Sequence, residues 1–416
     1  MSLLSKAIAL DNLDPLAFKR QSFTLPPDMI YLDGNSLGAL PKAASQREAA
    51  VVDQQWGVDL IKSWNSHAWI DLPQQVGEKI AKLIGAAPGQ VLCCDSISVN
   101  LFKLLCAALA VQKGRGNQRR VVLSVDDNFP TDLYMVQGLQ GLLGEENCCL
   151  RLCAQANIEQ ALQDDVAVLL LTQVNFRSGR LLDMHKLTAA AHQKGILVIW
   201  DLAHSAGALP LALDACQVDF AVGCGYKYLN GGPGAPAFVY VATRHHGSMQ
   251  QPLSGWMGHA QPFAFHVDYE KAPGIKQFLS GTPAIIAMSV LDAALEVFAD
   301  VDMQVVRQKS LSLAEYCLQL VAEIPALSEM VMASPLNPHE RGSQLAFAHP
   351  HAYAICQALI ARGVICDFRA PDILRLGFTP LYTSHQDIYH AMQNLAEILQ
   401  SQGYQQDEFK RVQQVT

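Results

Sequence analysis

Two residues suited to cofactor chemistry lie 26 positions apart in the middle of the chain. Asp201 follows the apolar run Ile196–Trp200, and Lys227 lies in the loop after Val218–Gly223. A partly buried lysine amine has its pKa lowered toward the neutral form that attacks an aldehyde. A carboxylate can keep a pyridine nitrogen protonated, so that the ring withdraws electrons from a bound amino acid. The pair predicts a pyridoxal 5′-phosphate (PLP) site, although Asp201 alone could be an ordinary helix N-cap.

Two further segments could complete such a site. Residues 95–100, with Ser96 and Ser98, stand between a predicted strand and a predicted helix over Leu101–Val111. Backbone N–H groups at a helix N-terminus suit a dianionic phosphate, although a plain serine N-cap explains the same residues. Phe129 follows another apolar run, and an aromatic ring there could stack on the pyridine.

The elements that must position these residues alternate between strands and helices. The predicted strands are Gln90–Cys94, Arg120–Val125, Val166–Thr172, Ile196–Trp200, Val218–Gly223 and Ala237–Val241. A helix is expected over Lys42–Gly57, and a long helical pattern begins at Ala284. This alternation predicts an α/β fold with a mainly parallel, doubly wound sheet that binds ligands beyond its carboxyl ends. We expect an N-terminal arm over 1–45, a large domain over 46–290 and a smaller C-terminal α/β domain over 291–416.

Composition excludes several classes of function. The chain of 416 residues has a formal charge of −8 and a pI near 5.9, which argue against nucleic acid or an anionic membrane as partner. No apolar run approaches a membrane span, and the first residues lack a secretory pattern. The eleven cysteines form no CxxC pair or zinc-type cluster, so we expect reduced thiols, a cytoplasmic location and no metal site.

At the level of motifs, the chain resembles the kynureninases. The motifs LDGNSLG, SWNSHAW, NFPTD, WDLAHSAG, GCGYKYLNGGPG, QPLSGWMGH, ERGSQL, GVICDFR and LRLGFTPLY occur in that family's order over roughly residues 30 to 390. DLAHSAG or the Tyr-Lys pair alone would indicate only the aminotransferase class V group of PLP enzymes. The resemblance implies the PLP-dependent transferase-like fold (fold type I) and a homodimer with shared active sites.

The resemblance also implies residue roles. Lys227, Tyr226 and Asp201 look like the catalytic set, with Tyr226 moving protons. The implied cofactor-binding positions are Ile97, Ser98, Phe129, Asp132, Thr172, Asp201, His204, Tyr226, Lys227, Trp256 and Thr282. Of these, Trp256 and Thr282 resemble phosphate ligands lent by the second subunit. Arg375 resembles the clamp for the substrate carboxylate. The remaining matches are Asn35 and Trp64, expected on the substrate side, and His259 and Arg341, whose steps are unassigned.

The implied reaction is hydrolysis of L-kynurenine to anthranilate and L-alanine, as in tryptophan degradation. Weaker action on 3-hydroxykynurenine is expected because Trp64 and Thr282 match positions where relatives that favour the hydroxylated substrate carry His and Asn. An aminotransferase remains an alternative on chemistry alone. A cysteine desulfurase needs a nucleophilic cysteine, and Cys317, the only one between Lys227 and residue 355, lies in a helical pattern. A nicotinamide oxidoreductase should open its sheet with GxGxxG, whereas the nearest match, residues 230–234, follows the lysine loop.

Overall fold

A central sheet of seven strands organises the molecule, whose computed structural model describes residues 2–411. The strands are β1 Phe23–Thr24, β2 Ile30–Tyr31, β3 Leu40–Pro41, β4 Val91–Cys93, β5 Val121–Val125, β6 Cys149–Cys153, β7 Val166–Thr172, β8 Leu197–Asp201, β9 Phe220–Cys224, β10 Ala237–Val241, β11 Val331–Met332, β12 Gln344–Ala348, β13 Val364–Ile365, β14 Asp367–Arg369 and β15 Ile373–Gly377. The α-helices are α1 Leu3–Asn12, α2 Lys42–Ala50, α3 Ser63–Ser66, α4 Leu72–Ile84, α5 Ile97–Gly114, α6 Pro130–Leu143, α7 Ile158–Ala161, α8 Met184–Gln193, α9 Ile285–Ala294, α10 Met303–Glu323, α11 Ala352–Ala361 and α12 His385–Ser401.

The predicted mainly parallel sheet is confirmed. Its order is β4-β10-β9-β8-β7-β5-β6, and β10 runs antiparallel to both of its neighbours. The strands β5, β7, β8 and β9 are parallel to one another and buried along their whole length, because helices cover both faces. Their carboxyl ends therefore meet at one edge of the sheet.

Helices with apolar stripes cover the two faces. In α4, Val76, Ile80 and Ile84 recur at helical spacing and are fully buried, and the helix ends at Gly85 in the left-handed conformation. On the other face, α5 packs against the sheet. Among residues 2–411, α5 is the one helix long and apolar enough to cross a bilayer, but half of it is buried inside the fold, as expected of a core helix.

A second hydrophobic core lies in the C-terminal part. There the antiparallel sheet β11-β12-β15-β14 packs with α10, α11 and α12. The N-terminal segment, expected to be a polar arm, contains α1, which packs on α12 and buries Ala7 in this core.

Two element predictions were inaccurate, and one strand of the central sheet was missed. The helix expected from Leu101 begins at Ile97, so Ser98 lies in its first turn. The helix expected over Lys42–Gly57 is α-helical only to Ala50 and continues as π-helical turns over Val51–Asp59. Strand β6 was missed because it is an edge strand that is only partly buried, so it lacks the apolar run of the central strands.

Candidate active site

A cavity of about 250 Å³ lies beyond the carboxyl ends of the central strands. Its walls come from the loops after β4, β5, β7, β8 and β9, together with the start of β10. The lining residues are Ser96, Ile97, Ser98, Phe129, Thr131, Asp132, Thr172, Phe176, Asp201, Ala203, His204, Cys224, Tyr226, Lys227, Ala235 and Ala237. The fold thus brings together nine of the eleven predicted cofactor-binding residues.

The amine of Lys227 is held against a histidine. Its Nζ lies 2.9 Å from Nε2 of His204, and about 6 Å from the ring centroids of Phe129 and Tyr226. Burial, the charge of Lys227 and that of Arg375 lower the pKa of His204 well below its usual value. A neutral His204 can accept a hydrogen bond from the lysine.

Two buried carboxylates form the floor of the cavity. Asp201 ends β8 next to Thr172 of β7 and accepts a hydrogen bond from the Ala203 N–H at 2.7 Å. Asp132 accepts from Thr172 Oγ1 at 3.2 Å and from Asn128 Nδ2 at 3.3 Å. Burial raises the pKa of both carboxyls, and the negative charge of Asp201 raises that of Asp132 further.

The opposite end of the cavity is the N-terminus of α5. Ser96 caps the helix, and its Oγ accepts from the Val99 N–H at 3.4 Å. Ile97 and Ser98 lie in the first turn, where backbone N–H groups point out of the helix. Behind this turn the buried Lys103 donates to Asp95 Oδ2 at 2.6 Å and to the Phe278 carbonyl. This end can bind an anion.

These residues fit PLP. Asp201 can pair with a protonated pyridine nitrogen at the floor, and the N-terminus of α5 can receive the phosphate. One oxygen of the neighbouring carboxylate, Asp132 Oδ1, is buried without a hydrogen-bond partner among residues 2–411, so the floor has acceptor capacity that a polar ring could use. Phe129 offers an aromatic face, and Lys227 offers the amine.

Comparison with known proteins decides the family. The profile described as "Kynureninase C-terminal domain" matches residues 306–395. The kynureninase of Burkholderia pseudomallei (strain 1106a) is 49% identical over 409 residues, covering 98% of each chain. That of Deinococcus radiodurans is 50% identical over 401 residues, covering 95% of this chain and 96% of its own. The chain belongs to the kynureninase family.

Solved structures of other enzymes share the fold. The apo cysteine desulfurase of Thermococcus onnurineus NA1 superposes with a TM-score of 0.76 at 17% identity, covering 92% of this chain and 98% of its own. The C-DES protein with glycine covalently linked to its PLP gives 0.78 at 18% identity, covering 91% and 99%. At such identities the likeness establishes fold alone. In this kynureninase-family chain, Cys317 is fully buried on α10, its Sγ 3.7 Å from Met392 Sδ, where a desulfurase nucleophile could not act.

Arg375, the predicted carboxylate clamp, lies behind the cavity in this member of the kynureninase family. It is 1% exposed, and its Nε donates to Asp367 Oδ1 at 2.6 Å. Its Nη1 donates to the carbonyl of Phe176, a cavity residue that the sequence analysis missed. Burial opposes ionisation of Asp367, but the contacts with Arg375, helped by Arg369 and Ser36, outweigh it and lower the pKa of that carboxyl. Phe176 is four residues past β7, so its place near a strand's carboxyl end could have indicated it.

Within residues 2–411, the cavity is not lined by the other residues predicted to contact the substrate or to be supplied by the second subunit. Asn35 is 1% exposed and donates from Nδ2 to Gln344 Oε1 at 3.4 Å. Trp64 contacts Trp69 edge to face, with ring centroids 5.9 Å apart. Trp256 is 38% exposed and Thr282 is also exposed, both outside the walls of this chain's own cavity.

Two motif residues without an assigned step have structural contacts. His259 Nδ1 accepts from the Gln261 N–H at 2.8 Å. Arg341 is 2% exposed and donates from Nη1 to the carbonyls of Pro335 and Leu336, each at 3.1 Å. These contacts stabilise loops and do not reach the cavity.

Proposed function

We propose that this chain catalyses the hydrolytic Cβ–Cγ cleavage of L-kynurenine to anthranilate and L-alanine, a step of tryptophan degradation, with PLP as its cofactor. The observation that carries the proposal is the 49% identity to a kynureninase over 98% of the chain, joined to a cavity that contains Lys227 and Asp201. When bound, PLP supplies an electron-withdrawing ring that stabilises negative charge on the amino acid. Asp201 supports this by keeping the ring nitrogen protonated.

Lys227 and Tyr226 are the proposed proton-transfer groups. Lys227 would hold the cofactor, and its amine, once released, would remove the proton from the substrate's Cα. Tyr226 lines the same cavity, and burial raises the pKa of its hydroxyl, so the group is protonated at neutral pH. It can therefore donate a proton to the γ-ketone oxygen as water adds, regain one from the added water, and then protonate the β-carbon as the Cβ–Cγ bond breaks.

Arg375 is the proposed ligand of the substrate carboxylate. Its guanidinium is already oriented by Asp367, and Nη1 points at the carbonyl of Phe176, at the cavity wall. A carboxylate is a stronger acceptor than a carbonyl for a guanidinium. We infer that the substrate carboxylate displaces the Phe176 carbonyl, which requires the loop after β7 to shift.

A homodimer with shared sites is part of the proposal. The phosphate-ligand candidates Trp256 and Thr282 lie outside the chain's own cavity and could reach that of a second subunit. A broad apolar groove that includes Pro283, the residue after Thr282, contains residues from several elements: Leu40, Val51, Trp56, Trp69, Pro233, Pro283, Ile285, Ile286 and Val290. Trp56 is 57% exposed there, and exposed patches of this kind mark protein interfaces.

The eleven free cysteines support a cytoplasmic location.

The activity is tested by incubating the PLP-loaded enzyme with L-kynurenine and no keto acid. We expect anthranilate fluorescence and equimolar L-alanine, with Lys227→Ala abolishing both and Lys113→Ala, an exposed control, leaving them unchanged. If kynurenine is consumed only when a keto acid is added, the enzyme is an aminotransferase and the proposal is contradicted.

The shared site is tested in mixed dimers. One chain carries Lys227→Ala and the other carries Trp256→Ala with Thr282→Ala, so each homodimer is impaired at both sites. A hybrid should regain one intact site and about half of the parent activity per dimer. Correctly formed hybrids without recovery would refute the shared site while leaving the reaction itself untouched.

A further inference from the structure

The side chain of Gln344 extends from the C-terminal sheet to His204 at the candidate active site. It is the first residue of β12, in the C-terminal sheet, and its side chain is 1% exposed. Its Oε1 lies 3.2 Å from Nδ1 of His204, a residue 140 positions away on the cavity wall. Gln344 lies in the ERGSQL motif but does not line the cavity. Its contact with the site therefore runs through His204.

The partners of Gln344 determine which way its carboxamide points. Nε2 lies 3.4 Å from the carbonyl oxygens of both Asn175 and Phe176, which can only accept hydrogen bonds. Oε1 faces Asn35 Nδ2, a donor, at 3.4 Å. With the amide reversed, an NH₂ group would face another NH₂ group and an oxygen would face two oxygens. Oε1 must therefore be the atom that faces His204.

This orientation determines the proton position on His204. Oε1 is only an acceptor, so Nδ1 of His204 must carry a proton and donate it. In the neutral ring the other nitrogen, Nε2, then has a free lone pair, and it lies 2.9 Å from Lys227 Nζ. We propose that Gln344 is a positioning residue: it holds His204 in the Nδ1–H form so that Nε2 accepts from the Lys227 amine and orients it.

The electrostatic surroundings agree with a neutral ring. Burial disfavours an imidazolium at His204, and the charges of Lys227, Arg375 and Arg369 disfavour it too; together they outweigh the hydrogen bond to Gln344, which acts in the opposite direction, and the pKa of His204 is lowered. This role rests on the proposed function, because an oriented Lys227 matters only if that amine holds the cofactor and moves a proton. It also couples the site to the C-terminal sheet, since Gln344 belongs to β12.

The test compares Gln344→Leu with a matched control, Gln112→Leu. Gln112 is also fully buried and donates from Nε2 to the carbonyls of Ala167 and Gly195, so its loss should lower stability without touching the site. The primary readout is the ¹⁵N and ¹³C chemical shifts of the His204 ring in histidine-labelled full-length protein, with and without PLP. His204→Asn identifies the signal.

In the parent protein and in Gln112→Leu we expect a neutral His204 with the proton on Nδ1, unchanged from about pH 6 to 9. In Gln344→Leu the Nδ1–H should lose its acceptor, and the shifts should report a mixture of the two neutral forms. We expect kcat for kynurenine to fall roughly 10- to 100-fold, the range seen when partners that orient metal-ligating histidines are removed, with KM changed far less.

The proposal is overturned if Gln344→Leu leaves the His204 shifts as in the parent, or if it lowers only the melting temperature, as Gln112→Leu should. The His204 shifts can be read without any substrate. A parent enzyme that releases no anthranilate would therefore refute the proposed function and leave the assignment of the His204 proton to be decided by the spectra.

Discussion

Replacing Lys103 by Met should weaken both the fold and cofactor binding. Lys103 lies on α5 and has no exposed side-chain surface, yet it carries an ammonium group that donates to Asp95 and to the Phe278 carbonyl. Asp95 immediately precedes the cap residue Ser96 and has a left-handed backbone with φ of 50°. The ion pair therefore stabilises an unusual backbone conformation at the phosphate end of the cavity.

The magnitude follows from what the substitution leaves behind. Removing one partner of a buried ion pair costs about 3–5 kcal/mol. Asp95 is 30% exposed and can regain water, whereas the Phe278 carbonyl loses a charged donor at a cost of about 1–3 kcal/mol. We therefore expect the free energy of unfolding to fall by about 3 kcal/mol, the lower end of the range for a broken buried ion pair. At roughly 2–4 °C for each kcal/mol in a domain of this size, the melting temperature should fall by about 6–12 °C.

The assay measures thermal unfolding of the apoenzyme and PLP binding by absorbance titration. Because Asp95 sets the entry into α5, we expect the PLP dissociation constant to rise at least about tenfold, equivalent to about 1.4 kcal/mol. Lys113→Met, exposed in the last turn of the same helix, is the control. Adding Asp95→Asn to Lys103→Met removes the unpaired charge and should recover part of the stability. A Lys103→Met protein that matches Lys113→Met in both measurements would refute the reasoning.

Three further outcomes are expected. Asp201→Asn should bind PLP but lose most kynurenine turnover, measured by anthranilate fluorescence; near-parent turnover would exclude its role. Asp219 is buried and hydrogen-bonded to His192 and His245, and these contacts outweigh burial and lower its pKa. The charged carboxylate therefore stabilises the fold above about pH 4, and this stabilisation is lost as the pH falls toward the pKa of the folded state. Asp219→Asn should thus lower the melting temperature at pH 7 and lose this difference in acid, whereas a pH-independent difference would contradict the sign. The resemblance expects Trp64, which lies outside this chain's own cavity, on the substrate side, and an indole ring offers no acceptor for a buried hydroxyl. Kynurenine should therefore exceed 3-hydroxykynurenine in kcat/KM by roughly 5- to 150-fold; equal values would exclude Trp64 from the substrate pocket.

The local sequence pattern was sufficient to predict the central sheet and much of the cavity lining. Central strands such as β7 are apolar at every position because both faces are covered, so they are visible in the sequence. Polar residues after such strands gather at one edge of the sheet because the strands are parallel, which is why the sequence alone predicts that Asp201 and Lys227 lie together. Strand β6 was not predicted, because a half-buried edge strand needs no continuous apolar run.

Contacts between distant segments were decided only by the tertiary structure. Nothing local to Gln344 indicates that its amide reaches His204, since that contact depends on how β12 is placed against the loop after β8. The position of Arg375 behind the wall, paired with Asp367, depends likewise on the register of β14 and β15. The sequence by itself determines which polar residues stand at or just after the carboxyl ends of the buried central strands, because periodicity and apolar runs are properties of single segments. Which buried polar groups satisfy one another is determined by packing between segments, because each donor and acceptor must find its partner in three dimensions.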